Sequence, residues 1–270
     1  MSSLAFDFGR NWEAFSSAKV DAQRLEHAKT SLADLIGEDR IAGKSFLDVG
    51  CGSGLFSIAA VGLGAGRVVG FDVNPTAIEV SKANVDRLRE HLSAEAVGPS
   101  FCLGSALDES FLASLGTFDI VYAWGVLHHT GAMWQAIRNT AGLVAPGNGT
   151  LVLAIYNQHW SSPLWKQIKR LYNLSPNRAR PLFHGLFGAL IYAGVWVTAR
   201  ENPLHKERGM DFWYDVIDWL GGYPYEYARA EDVVEFVKAL DPELERIVRP
   251  RAFTGCNEFV FRPPNASDRG

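Results

Sequence analysis

Apolar residues recur along this 270-residue chain with two periods, and the alternation between them sketches a fold. Within residues 11–40, Val20, Leu25, Ala28, Leu32, Leu35 and Ile36 return at helical spacing, and Gly43 closes the segment. SFLDVG (45–50) reads as a buried strand opening into glycines, and LFSIAAVGLG (55–64) as the helix after it. RVVGFDV (67–73) is a second strand. Asn74 suits an N-cap and Pro75 the first turn of a helix running to about His91. FCLGSA (101–106), FDIVYAW (118–124) and TLVLAIYN (150–157) are the third, fourth and fifth strands, with a helix over 130–144. Strand and helix alternate, the pattern of a parallel sheet covered on both faces.

Residues 158–230 break that rhythm and are rich in Trp, Tyr, Gly and Pro. From Pro181 to Ala199 no side chain is charged, but His184 and three glycines argue against a spanning helix, which needs roughly 20 apolar residues. The stretch reads as a buried or site-covering helix. AEDVVEFVKAL (230–240) is an amphipathic helix, and ERIVRPR (245–251) and NEFVFRP (257–263) are a closing pair of strands. The expected architecture is α/β: a Rossmann-like, doubly wound, mostly parallel seven-stranded sheet. A helical, aromatic cover is inserted between the fifth and sixth strands. One domain is expected, with a helical lid (1–43), a core (44–157), the cover (158–230) and a closing helix and strand pair (231–263).

Composition narrows the partners. Hydrophobic residues are 47% and charged residues 21% of the chain, as in ordinary soluble domains. A formal net charge of -4 argues against a nucleic-acid partner. Cys51, Cys102 and Cys256 form no CxxC, so neither a disulfide framework nor a zinc site is expected, and a reducing compartment fits. The adjacent pair His128 and His129 completes no metal shell, so no metal is expected. The N-terminus carries Asp7 and Arg10 within MSSLAFDFGRNW and is not a secretory signal, which predicts a cytoplasmic protein. Arg178, Arg180 and Arg200 flank the uncharged stretch, so residues 181–199 are expected to touch a membrane peripherally at most.

The strongest motif is Leu47-Asp48-Val49-Gly50-Cys51-Gly52-Ser53-Gly54. Glycines at a strand-to-helix turn let a ligand approach the backbone, and the helix N-terminus behind them offers free N–H groups. A dinucleotide site uses G-x-G-x-x-G, but the spacing here is G-x-G-x-G with Leu55 at the third-glycine position. Asp48 would repel a pyrophosphate but suits the ammonium of an amino acid. Asp72, ending the second strand, can accept hydrogen bonds from both hydroxyls of a ribose.

LDVGCGSG, FDVNP and FDIVYAWGVLHHTG, in this order over residues 44–157, resemble the class I S-adenosylmethionine (SAM)-dependent methyltransferases. FDFGRNW and DWLGGYPYEYA (218–228) are similar to a bacterial subgroup of small-molecule, quinone-type methylases. The resemblance implies that Asp48, Gly50, Cys51, Gly52 and Gly54 line the methionine and ribose. It implies further that Asp72 binds the ribose, Val73 flanks the adenine, and Trp124 and Gly125 pass beside the sulfonium. The acidic residue that usually meets the adenine amine is replaced by Gly104-Ser105-Ala106, leaving Ser105 or a backbone group of Ala106 to serve.

A small-molecule acceptor is implied, and the aromatic insertion suggests that it is partly apolar. His128 and His129, at the carboxyl edge of the sheet, are the candidate general bases. The resemblance implies that His128 faces the methyl group while His129 packs. Tyr156 and Asn157 end the fifth strand, within reach of an acceptor. Tyr223 and Tyr225 offer aromatic faces to a sulfonium or amine. Phe8 and Trp12 are expected to close over the cofactor, and Arg10 or Arg208 to meet an acceptor carboxylate. Two other outcomes are open: cyclisation of SAM to azetidine-2-carboxylate and methylthioadenosine, and non-catalytic SAM binding.

Overall fold

The structure, a computed structural model, describes residues 20–199, 212–240, 243–250 and 255–262. Its frame is a seven-stranded sheet in the order β3-β2-β1-β4-β5-β7-β6. The strands are β1 (Ser45–Val49), β2 (Arg67–Asp72), β3 (Ser100–Leu103), β4 (Ile120–Trp124), β5 (Thr150–Tyr156), β6 (Glu243–Val248) and β7 (Cys256–Arg262). β1 to β5 pair in parallel, and β7 runs antiparallel to both β5 and β6. The expected mostly parallel, seven-stranded architecture is the observed one.

Successive side chains of a strand face opposite ways, so an unbroken apolar strand must be covered twice. Phe46, Val68, Tyr122, Val152 and Val260 enter one core. Their neighbours Leu47, Val69, Val121, Leu151, Leu153, Phe259 and Phe261 enter the other. The first core is closed by α1 (Ala22–Ile36), α2 (Leu55–Gly62) and Leu88 of α3 (Pro75–Leu88). The second is closed by α4 (Glu109–Leu115), α5 (Met133–Ala141) and α9 (Ala230–Lys238). The caps follow the local chemistry: Asp21 accepts from the Arg24 amide, Asn74 from Thr76, and Asp108 from Phe111.

The insertion after β5 folds into α6 (Ser162–Leu174), α7 (Arg180–Ala199) and α8 (Phe212–Gly221). These helices share a small core of their own, with Tyr172, Phe212, Val216 and Leu220 buried and Phe183, Phe187 and Ile191 packed against them. The expectation that residues 181–199 form a buried helix holds for only one side of α7. Leu182, Leu186 and Leu190 on the other side are exposed. Among the described residues, no helix is long and apolar enough to cross a membrane.

Element ends also moved. The helix foreseen over 130–144 starts only at Met133, because Gly131 takes a left-handed φ of 77°. β3 stops at Leu103, where the Gly104 amide turns to bond the Asp72 carbonyl. The closing strand foreseen over 245–251 is shifted toward the N-terminus, to Glu243–Val248.

Candidate functional site

Strand order reverses between β1 and β4, and the carboxyl ends there form the crevice where open α/β sheets take ligands. The glycine turn leaves β1 on one side of the crevice, and Trp124 and Gly125 leave β4 on the other. The Gly50 and Cys51 amides both donate to the Phe71 carbonyl, at 2.8 and 3.0 Å, which ties the turn to β2. Gly50 is held at φ 70°, and a Cβ there would lie 2.3 Å from Val126 Cγ2. Gly54, at φ 73°, would meet Ser81 Cβ at 2.7 Å. These glycines therefore serve the packing of the turn as well as access to it. Gly54 is also the N-cap of α2 and supplies no side-chain acceptor.

Two carboxylates frame the turn. Asp72 is half-buried at the tip of β2; it accepts the Gly52 amide at 3.1 Å and the Asn74 amide at 2.9 Å. Burial raises its pKa, while the Asn74 and Gly52 amides pull it back. Each oxygen has a lone pair left for a further donor. Asp48 is buried and accepts the Ser57 hydroxyl of α2 at 2.6 Å. Desolvation lifts its pKa to about 7, against the Ser57 bond, and Asp72 adds a smaller repulsion.

The other residues of the resemblance fall around this frame. Cys51 is buried, and desolvation raises its thiol pKa. Val73 is 47% exposed just beyond Asp72. Ser105 is half-buried and its hydroxyl accepts the Leu107 amide; Ala106 is buried and its carbonyl accepts from Asn139. Trp124 is half-buried. Gly125, at φ 76°, has open space on its Cβ side, with no heavy atom within 4 Å.

Beyond β4, His128 is buried, and its Nδ1 faces the Tyr156 amide at 3.4 Å. Its Nε2 is buried without a hydrogen-bond partner among the described residues. Desolvation first, then repulsion from His129 and Lys169, holds its pKa well below that of free imidazole. His129 Nδ1 bonds the Pro224 carbonyl at 2.7 Å, and desolvation lowers its pKa to about 3. The Tyr156 ring lies 4.0 Å from that of His128 and 5.1 Å from that of Tyr225. Tyr225 is buried, with a phenol pKa pushed up by desolvation, while Tyr223 is half-buried. Asn157 Oδ1 accepts from Asn257 of β7 at 3.0 Å, so its carbonyl oxygen is engaged in joining strands. Trp12, Arg10, Phe8 and Arg208 lie outside the described residues.

Two residues here carried no signal in the sequence. Lys169, in the helical run KQIKR, reads as a solvated cation, yet its side chain is buried. Its ammonium bonds the Trp219 carbonyl and lies 4.5, 4.7 and 5.3 Å from the ring centres of Trp219, Tyr225 and Tyr156. Glu226 accepts the Met133 amide at 3.1 Å, so a side chain from the end of the insertion caps α5.

A glycine turn, an acid at the tip of the adjoining strand and a bare Cα across the crevice define a nucleoside-binding α/β protein. The chain belongs to the methyltransferase-domain family, whose model matches residues 21–217, and it has the class I SAM-dependent methyltransferase fold. It is 35% identical over 114 residues to the ubiquinone biosynthesis O-methyltransferase of Methylobacterium sp. (strain 4-46), covering 42% of each chain. It is 40% identical over 113 residues to the ribosomal protein L11 methyltransferase of Cupriavidus metallidurans, covering 42% of this chain and 32% of that one. The match thus spans less than half the length of these curated relatives. Among solved structures, the magnesium protoporphyrin IX methyltransferase of Synechocystis PCC 6803 with bound SAH superposes with a TM-score of 0.58. That likeness, at 15% identity over 94% of both chains, concerns the fold.

The residues present fit SAM. Asp72 retains acceptor capacity for ribose hydroxyls, Asp48 is an acid beside the turn, and Gly125 leaves space on its Cβ side.

Proposed function

We propose that this chain transfers the methyl group of SAM to a small, partly apolar acceptor. The observation that carries the proposal is the juxtaposition of two sites along the carboxyl edge of one sheet. The Asp48–Asp72 glycine turn lies at the ends of β1 and β2, and Tyr156 at the end of β5 gathers the rings of His128, from beyond β4, and Tyr225, from the insertion. SAM supplies a methyl group already activated on a sulfonium, so the protein's task is to position the acceptor and exclude water.

In this reading Asp72 holds the ribose hydroxyls and Asp48 the α-ammonium. The first turn of α2 offers its N–H groups to the ligand's carboxylate. Trp124 and Gly125 flank the sulfonium, Val73 and Ser105 the adenine. Tyr156, with Tyr225 behind it, walls the acceptor. His128, neutral at physiological pH, is the general base for an acceptor that ionises. Residues 158–230 shield the carboxyl edge; the contact of Lys169 with Tyr156 and the Pro224–His129 bond support that placement.

The test is incubation with SAM and a metabolite panel, with mass spectrometry of the cofactor products. S-adenosylhomocysteine with a methylated small molecule is the expected result. Methylthioadenosine would mean cyclisation, and label appearing only in acid-insoluble protein would mean a macromolecular acceptor; either overturns the proposal.

A further inference from the structure

Helix α7 is apolar on two sides. Its inner stripe of Phe183, Phe187 and Ile191 packs into the core of the insertion. Its outer stripe of Leu182, Leu186, Leu190 and Val197 is 75%, 60%, 55% and 66% exposed. Steps of four residues align the three leucines along one helix face. Trp196 and Trp213, on α7 and α8, are also more than half exposed. Singly exposed apolar residues need no explanation, but a continuous stripe of this kind marks a surface that something covers.

The charge around it indicates what. Between Asp119 and Glu201 the sequence holds no aspartate or glutamate, although the whole chain carries -4. Besides the buried Lys169, the insertion contributes Lys166, Arg170, Arg178, Arg180 and Arg200 to that stretch; its acids Asp215 and Asp218 come later, on α8. Lys166, Arg170 and Arg178 are exposed. A surface that is apolar within and anionic at its rim satisfies both features. Leucine and tryptophan enter the acyl boundary while lysine and arginine meet headgroups.

We infer that the α6–α7 layer docks on an anionic phospholipid bilayer, with α7 lying in the interface and its leucine stripe turned into the lipid. The helix does not cross. The inference stands on the surface alone and is independent of the acceptor proposed above.

The experiment is co-sedimentation of the full chain with vesicles of phosphatidylcholine, alone or mixed with phosphatidylglycerol. Binding to the mixed vesicles is expected to be tighter by roughly fivefold for each cation engaged, and to weaken as salt is raised. The triple variant Leu182→Gln, Leu186→Gln, Leu190→Gln alters only exposed side chains. It should keep the wild-type circular dichroism spectrum and SAM affinity while losing vesicle binding by about tenfold or more. Wild-type protein left in the supernatant with both vesicle types would overturn the inference, as would a triple variant that sediments equally well. A wild-type dimer made monomeric by the triple substitution, with no vesicle binding, would assign the face to self-association and equally overturn it.

Discussion

The Asp48 carboxyl is buried beneath α2, bonded to Ser57 and held at a pKa of about 7, so its charge in the fold is set by what lies beside it. An acid whose pKa rises on folding contributes stability that is fully present below its unfolded value, 3.8, and lost as pH rises through about 7. Asp48→Asn keeps an acceptor for Ser57 and removes the titration. The apo variant should melt a few degrees above wild type at pH 8 and converge with it below pH 4, as read by calorimetry. If the ligand's ammonium sits beside Asp48, wild-type affinity for SAM should rise as the pH is raised from 6 to 7, and the variant's should stay level. His128 has the opposite sign. Burial lowers its pKa, so it stays neutral well below pH 6.5 and its protonation should cause no loss of turnover between pH 8 and 6. As the proposed base, His128→Asn should lower kcat about 10²–10⁴-fold while SAM affinity is unchanged; full activity would leave proximity alone as the mechanism. Asp48 and Asp72 were legible because a glycine turn flanked by acids has a spacing. The burial of Lys169 was not, because three aromatic rings from separate segments create it.

At the scale of elements, the join between insertion and sheet rests on a few groups at the carboxyl edge. Asn157 pairs with Ala228 in an isolated parallel bridge, the Pro224 carbonyl accepts from the His129 ring, and Glu226 caps α5. Glu226→Ala removes the acceptor of the Met133 amide and should cost about 1 kcal/mol, read as a fall in Tm of roughly 2–4 °C. Glu226→Gln should restore most of it, and an unchanged Tm for the alanine variant would show that the cap is dispensable. The parallel strands were readable because each is a short apolar run closed by a turn residue. Helix α4 was not foreseen, although Asp108 and Gly116 mark its two ends. With only Leu112 fully buried, its seven residues are too few to establish a period. The insertion was legible as a helical, aromatic interruption with one helix foreseen over 181–199, but the helices α6 and α8 were not foreseen. α7 is apolar all round, and a sequence does not tell a face buried in a core from one awaiting a partner.

Across the whole molecule, the crevice at the switch point draws on β1, β2 and β4 at once, and those strands hold both cores together. A ligand lodged there contacts residues that come together only in the folded chain, so its binding energy adds to global stability. At a hundredfold excess over Kd the gain is about 2.7 kcal/mol, which for a chain of this size is roughly 5–10 °C in Tm. SAM and S-adenosylhomocysteine should both produce a shift of that order. NAD should not, because Leu55 occupies the place of the third glycine and Asp48 opposes a pyrophosphate. Asp72→Ala should abolish the shift. That variant also loses the acceptor for the Gly52 and Asn74 amides, so its apo Tm will fall, and the ligand-induced difference is the quantity to compare. Asp72→Asn, which keeps one carbonyl oxygen, should recover part of the turn's stability but little of the ligand shift. A full shift in either variant would remove Asp72 from the ribose site, and an equal shift with NAD would replace the SAM assignment with a dinucleotide one.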